Sequence, residues 1–237
     1  MRIVPAILLA TALALPALDT ALAQLPQPGQ MTPPDLQRRP RQRGEPPPAD
    51  AQPAQATDAR LGDVEAYFNG LRSFQARFVQ NNPNGAIVQG TLSVRRPGRM
   101  RFEYDAPSEL KIVADGSQVT MWDTARGDFG QWPIGWTAAS FLVRDPVQLS
   151  GDLTVDEIAE EGELLLVTLV QTRKPQEGKV VIKLARGPLQ LVGWTILDTR
   201  GNRVDVKLAD FKVGGSLPDR LFRFDGPDPS QMRRNPN

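Results

Sequence analysis

Apolar and polar positions change their period early in this 237-residue chain. Leu61, Val64, Phe68 and Leu71 recur at helical spacing, with Arg60, Asp63, Glu65 and Arg72 facing away, which predicts an amphipathic helix capped by Thr57 or Asp58 and ending near Gly70. From Ser73 the period falls to two. Alternating runs predict strands at Ser73 to Gln80, Val88 to Val94, Arg99 to Asp105, Leu110 to Ala114, Val119 to Asp123 and Phe129 to Trp132. A second series follows at Leu153 to Ala159, Leu164 to Gln171, Lys179 to Arg186, Leu189 to Asp198 and Arg203 to Phe211. Short turns such as Asp115-Gly116 and Arg200-Gly201 separate them, so the pattern reads as an antiparallel meander that curls or closes.

The sharpest alternation follows the turn Arg96-Pro97-Gly98. Met100, Phe102 and Tyr104 share one face, while Arg99, Arg101, Glu103 and Asp105 share the other. The apolar face either packs on a core or lines a cavity, and alternation alone does not choose between them. One segment, Pro133 to Pro146, breaks the strand series and reads as a short helix capped by Thr137, carrying Trp136, Phe141, Leu142 and Val143. Two helical pieces cannot cover both faces of so large a sheet, so both are expected on its concave side.

The ends differ in composition. Residues 1–23 read as a secretory signal peptide with an Ala21-Leu22-Ala23 cleavage site, which implies export with cleavage after Ala23. Residues 24–56 form a Pro-rich linker too poor in apolar side chains to order itself, with Arg38, Arg39, Arg41 and Arg43 nearly balanced by Asp35, Glu45 and Asp50. A folded domain is expected over 57–228, followed by a polar tail at 229–237.

Composition narrows the chemistry. The chain has no histidine and no cysteine, which removes the usual neutral-pH base, the thiolate nucleophile, the Ser-His-Asp arrangement and the commonest zinc ligands. No cofactor and no metal are expected. A formal net charge of +1 gives no footprint for nucleic acid. The acid run Asp156, Glu157, Glu160, Glu161 and Glu163 lacks the spacing of a calcium loop and reads as a solvated turn. Each of Trp122, Trp132, Trp136 and Trp194 is more often core than ligand platform.

Several stretches together resemble the periplasmic outer-membrane lipoprotein carrier family, LolA. They are Ser73 to Gln80 (Ser-Phe-Gln-Ala-Arg-Phe-Val-Gln), the Gly-x-Leu-x-Val strand Gly90 to Val94, Arg96 to Tyr104 with Pro107, Ile112 to Gly116 leading to Met121-Trp122-Asp123, and Leu217-Pro218-Asp219 before Leu221 to Phe224. The resemblance implies a mainly β fold with short α-helices: a curved antiparallel sheet forming an incomplete β-barrel, with a helical lid over an apolar cavity. It implies a non-enzymatic, monomeric periplasmic chaperone that takes acylated lipoproteins from the inner-membrane transporter LolCDE and passes them to the outer-membrane receptor LolB. The family's lid-holding arginine falls on Arg96, which would bond lid carbonyls. Its cavity-facing strand maps onto Met100, Phe102 and Tyr104, with Phe74, Phe78, Leu92, Val94 and Met121 expected on the same lining. Leu61, Val64, Phe68, Trp136, Phe141 and Leu142 would belong to the lid.

Two other readings stay open at this point. One is a LolA-like module that binds another hydrophobic ligand or senses lipoproteins in a regulatory role. The other is a carboxylate-based hydrolase, since two acids can suffice for glycoside hydrolysis.

Overall fold

A computed structural model describes the backbone of residues 53–137 and 140–226, and the side chains of 59–226 except 136, 138 and 139. The expected signal peptide and its cleavage at Ala23, the linker up to residue 52 with its four arginines, and the tail at 229–237 lie outside the described residues.

Eleven strands follow helix α1 (Pro53–Gly70). The first six are β1 (Ser73–Asn81), β2 (Ile87–Arg95), β3 (Arg99–Tyr104), β4 (Leu110–Asp115), β5 (Gln118–Asp123) and β6 (Asp128–Pro133). A 3-10 turn (Ile134–Trp136) and helix α2 (Ser140–Val143) then precede β7 (Leu153–Glu161), β8 (Leu164–Gln171), β9 (Gly178–Arg186), β10 (Leu189–Asp198) and β11 (Arg203–Val213). All eleven make one antiparallel sheet in the order β6-β5-β4-β3-β2-β1-β11-β10-β9-β8-β7. The sheet is therefore two consecutive meanders joined where β11 pairs with β1. Strands β6 and β7, consecutive in the chain, are the two free edges of an open sheet. Exposed Asp156, Glu157, Glu160 and Glu161 lie on β7, where charge discourages a further strand from adding to the edge.

Two helix boundaries differ from the sequence expectation. Helix α1 begins at Pro53, so Thr57 and Asp58 stand inside it rather than at its cap. Proline suits the first turn of a helix, and the Ala54-Gln55-Ala56 that follows favours helix strongly. The segment after β6 divides into two short pieces. The Thr137 hydroxyl donates back to the Ile134 carbonyl at 2.9 Å and so closes the 3-10 turn instead of starting α2.

One apolar core lies on the inner face. Phe78 meets Phe102 and Tyr104 edge-on at 5.3 and 5.1 Å between ring centres, Phe102 meets Trp194 at 6.3 Å, Trp194 meets Phe141 at 5.9 Å, and Phe141 meets Phe68 at 6.1 Å. This chain of rings links β1 and β3 to β10, then to α2 and α1, so both meanders and both helices share one packed interior. Gly90 makes it possible. A Cβ there would stand 2.1 Å from the Glu103 carbonyl oxygen and 2.7 Å from the Phe78 ring.

The outer face of β2, β3 and β4 is covered by the C-terminal stretch. Arg95 donates to the Leu217 carbonyl at 2.5 Å and pairs with Asp219, while Arg101 and Lys111 each approach Asp225 at 3.3 Å. Phe222 is buried beneath this strap with the Arg95 guanidinium 5.0 Å from its ring centre.

On the second meander, Asp205 of β11 accepts from Lys183 of β9 at 3.0 Å, from Thr195 of β10 at 2.5 Å and from Arg203 at 2.5 Å. Burial alone would raise its pKa, but the bonds from Arg203, Thr195 and Lys183 outweigh it and hold the carboxyl well below the usual range. A carboxylate with a depressed folded-state pKa contributes stability above its unfolded value near 4, and that contribution is lost as pH falls. Asp205→Asn is expected to lower unfolding free energy by about 2 kcal/mol at pH 7 in urea titrations, with the deficit shrinking below about pH 4. A deficit independent of pH would show that the charge plays no part.

Candidate functional site

The turn between β2 and β3 is built to reach the helices. Gly98 adopts φ +73°, and a Cβ on it would sit 2.7 Å from the Gly116 backbone, so glycine alone fits. Its N–H donates to the Val143 carbonyl at 2.8 Å, and the Arg96 N–H donates to the Arg72 carbonyl at 2.8 Å. From this fixed backbone the Arg96 side chain turns inward and is only 7% exposed. Its Nε donates to the Leu142 carbonyl at 2.9 Å, its Nη1 donates to the Phe68 carbonyl, and the guanidinium lies 5.6 Å from the Phe68 ring centre. Phe68 and Leu142 belong to the last turns of α1 and α2. Carbonyls there carry the negative end of the helix dipole, and although the Phe68 carbonyl also accepts from the Leu71 N–H at 3.1 Å, one buried cation bonds both helix ends.

Burial pushes the Arg96 pKa down to about 10, opposed by Asp145 and assisted by Arg72. At neutral pH the group stays charged and the two bonds persist. Arg72 and Asp145 pair with each other at 2.6 Å just outside. Arg96 Nη2 is buried without a hydrogen-bond partner among the described residues.

Helix α1 is held by further polar contacts that sequence reasoning did not single out. The Asn69 amide bonds both backbone groups of Val147, donating at 3.1 Å and accepting at 2.7 Å, as a neighbouring strand would. Glu65, one turn earlier, accepts from the Leu149 N–H at 2.7 Å, and the Tyr67 hydroxyl accepts from the Leu191 N–H at 2.9 Å. Arg60 and Arg186 both approach Glu160, at 2.9 and 2.8 Å. The four-residue spacing of Glu65 and Asn69 marks a shared helix face. Nothing local marks a partner some 80 positions away.

The expected lid residues fall as follows. Val64, Phe68, Phe141 and Leu142 are buried in the common core, Leu61 is half-buried against it, and the Trp136 side chain lies outside the described residues. Of the eight residues expected on a cavity wall, Phe74, Phe78, Leu92, Val94, Met100 and Phe102 are instead close-packed in the core, at most 1% exposed. Val64 and Phe68 of α1 and Phe141 and Leu142 of α2 belong to the same buried cluster. Tyr104 and Met121 do border open space, a cavity of about 550 Å³ at one end of the sheet. The Tyr104 phenol pKa is raised by burial, and its hydroxyl donates to Gln80 at 3.1 Å.

The family described as "Outer membrane lipoprotein carrier protein LolA" matches residues 69–225. An outer-membrane lipoprotein carrier protein of Legionella pneumophila (strain Lens) is 30% identical over 175 residues, covering 69% of this chain and 84% of that protein. One of Pseudomonas putida (strain W619) is 30% identical over 146 residues, 58% of this chain and 66% of its own. Among solved structures, a LolA superfamily protein from Nitrosomonas europaea aligns with TM-score 0.42 and 12% identity over 71% of this chain and 97% of its own.

Asn69→Ala removes both bonds to Val147 and leaves that buried backbone unsatisfied. The expected loss is about 1–3 kcal/mol of stability, with accelerated amide hydrogen exchange at Val147 and Leu149. Unchanged exchange at both amides would show that α1 does not hold this segment.

Proposed function

This chain belongs to the LolA family of outer membrane lipoprotein carrier proteins, and from that membership we propose that it is a periplasmic shuttle. It receives acylated lipoproteins from a LolCDE-type transporter in the inner membrane, shields their acyl chains, and delivers them to a LolB-type receptor. No covalent bond changes in this cycle. The chain contributes an apolar interior and a means of opening and closing it.

The observation that carries the reading is the Arg96 guanidinium, buried and bonded to one carbonyl from each helix. A latch of this kind must hold the helices down without holding them permanently. A charge-assisted hydrogen bond contributes about 1.5–3 kcal/mol, whereas each acyl CH2 removed from water contributes about 0.8 kcal/mol. About four to eight methylenes entering the interior therefore offset the loss of both latch bonds. The buried Nη2 without a partner supports the same view, because an incompletely satisfied cation stabilises the closed state less than a fully bonded one.

Once the latch opens, the helices carry Phe68 and Phe141 away from Phe102 and Trp194, and the ring-lined face of the sheet takes acyl chains in their place. The six close-packed residues Phe74, Phe78, Leu92, Val94, Met100 and Phe102 are then the cargo-facing surface, concealed in the closed form. In this reading the packed core and the cavity wall are one set of residues in two states.

Arg96→Leu is expected to fold, because leucine fills apolar space and the Gly98 to Val143 backbone bond remains. With the closed state weakened, the variant should accumulate acylated polypeptide on purification from its own periplasm and transfer it to receptor at least tenfold more slowly. Wild-type transfer rates and an empty purified variant would refute the latch.

A further inference from the structure

The hairpin turns at residues 82–86, 105–109 and 124–127 join β1 to β2, β3 to β4 and β5 to β6, and all three rise from the same end of the sheet. Between them lies the cavity of about 550 Å³, within the size range of small-ligand sites. Its upper walls are polar, with Asn82, Asn84 and Glu109. Its floor is Tyr104, Ile112 and Met121, which are members of the main core. A relay closes that floor: the Tyr104 hydroxyl donates to Gln80, whose amide donates to Asn82 at 2.7 Å.

Two further facts point to an amphiphilic occupant. Ile87 lines this cavity and is 64% exposed, one of only two large apolar side chains so open among the described residues. Arg96 stands at the opposite end of β2 and β3, about 20 Å away along six residues of strand. The cavity is thus open while the latch is bonded.

We infer that this rim cavity is a docking site for the glyceryl-thioether head and first acyl methylenes of an acylated polypeptide, occupied before the Arg96 latch releases. The inference rests on the carrier reading above. The apolar floor takes the start of the chain, and the Asn82 and Asn84 amides face the ester and peptide groups. Displacing the Tyr104 to Gln80 bond then connects the cavity to the interior. Admission occurs in two steps, a docking step set by ligand concentration and an opening step that is not.

The test is stopped-flow binding of a dansyl-labelled synthetic dipalmitoylglyceryl-cysteinyl peptide to the full chain. Wild type should show a fast phase proportional to probe concentration and a slow phase independent of it. Ile87→Asp places a charge on the exposed wall, and Ala125→Trp fills the mouth from an exposed turn position. Each should slow the fast phase at least tenfold and leave the slow phase unchanged, with circular dichroism confirming that the variants fold. A variant that fails to fold leaves the other to decide. A fast phase unchanged in the folded variants overturns the docking site while the carrier reading stands. So does a defect confined to dioleoylphosphatidylglycerol vesicles with none for the lipopeptide, since that assigns the cavity to membrane lipid. No binding of the lipopeptide to wild type overturns both.

Discussion

A charged group buried against two helix ends sets the terms for the rest of this molecule. The Phe68 carbonyl at the end of α1 accepts from the Leu71 N–H at 3.1 Å, and both it and the Leu142 carbonyl of the four-residue α2 take a further donor from outside their own helix. Arg96 supplies that donor from a turn of the sheet. Moving a guanidinium out of water is costly, as its lowered pKa reports, and the cost is offset only while both carbonyls stay in place. Arg96 thus ties sheet and helices together alongside the Gly98 to Val143 and Leu191 to Tyr67 bonds, and it is the one buried charge among these ties.

The open seam makes such coupling useful. A closed barrel has no free edge. Here β6 and β7 do not pair, and the segment between them carries α2 across the concave face. The ring contacts from Phe78 through Trp194 to Phe68 bind the helices to the sheet by area rather than by direction. Such contacts are non-directional and scale with the apolar area removed from water. The clasps of Asn69 and Glu65 around Val147 and Leu149 join α1 to the stretch after α2.

Much of this was legible beforehand. The strict alternation from Arg99 to Asp105 reproduces the observed burial, with Met100, Phe102 and Tyr104 inside and the charged residues outside. All eleven expected strands are present with ends within two residues of the expected ones, and β1 and β3 alternate in burial as a half-buried strand must. The Leu61, Val64, Phe68 and Leu71 stripe likewise lies toward the core. Less legible were the start of α1 and the division after β6, where local capping chemistry and backbone competition decide among nearly equal alternatives. The polar clasps of α1 and the Arg60, Glu160 and Arg186 grouping left no local trace, because each joins residues far apart in the chain.

The sequence by itself determined the period, and the period marked the inward side chains of β1, of β3 and of α1. Together with the absence of histidine and cysteine it also set aside most catalytic chemistry. Only the tertiary structure decided that β11 returns to β1, because strand pairing depends on loop paths and shared burial rather than on any pattern within a strand. It also decided what Arg96 meets. An arginine after a strand reads as one more turn residue until two helix ends converge on it, and that convergence is fixed by packing across the whole interior. Whether an inward face is core or wall was likewise beyond alternation. The same apolar surface serves as either, and here residues of α1 and α2 pack against it in one cluster.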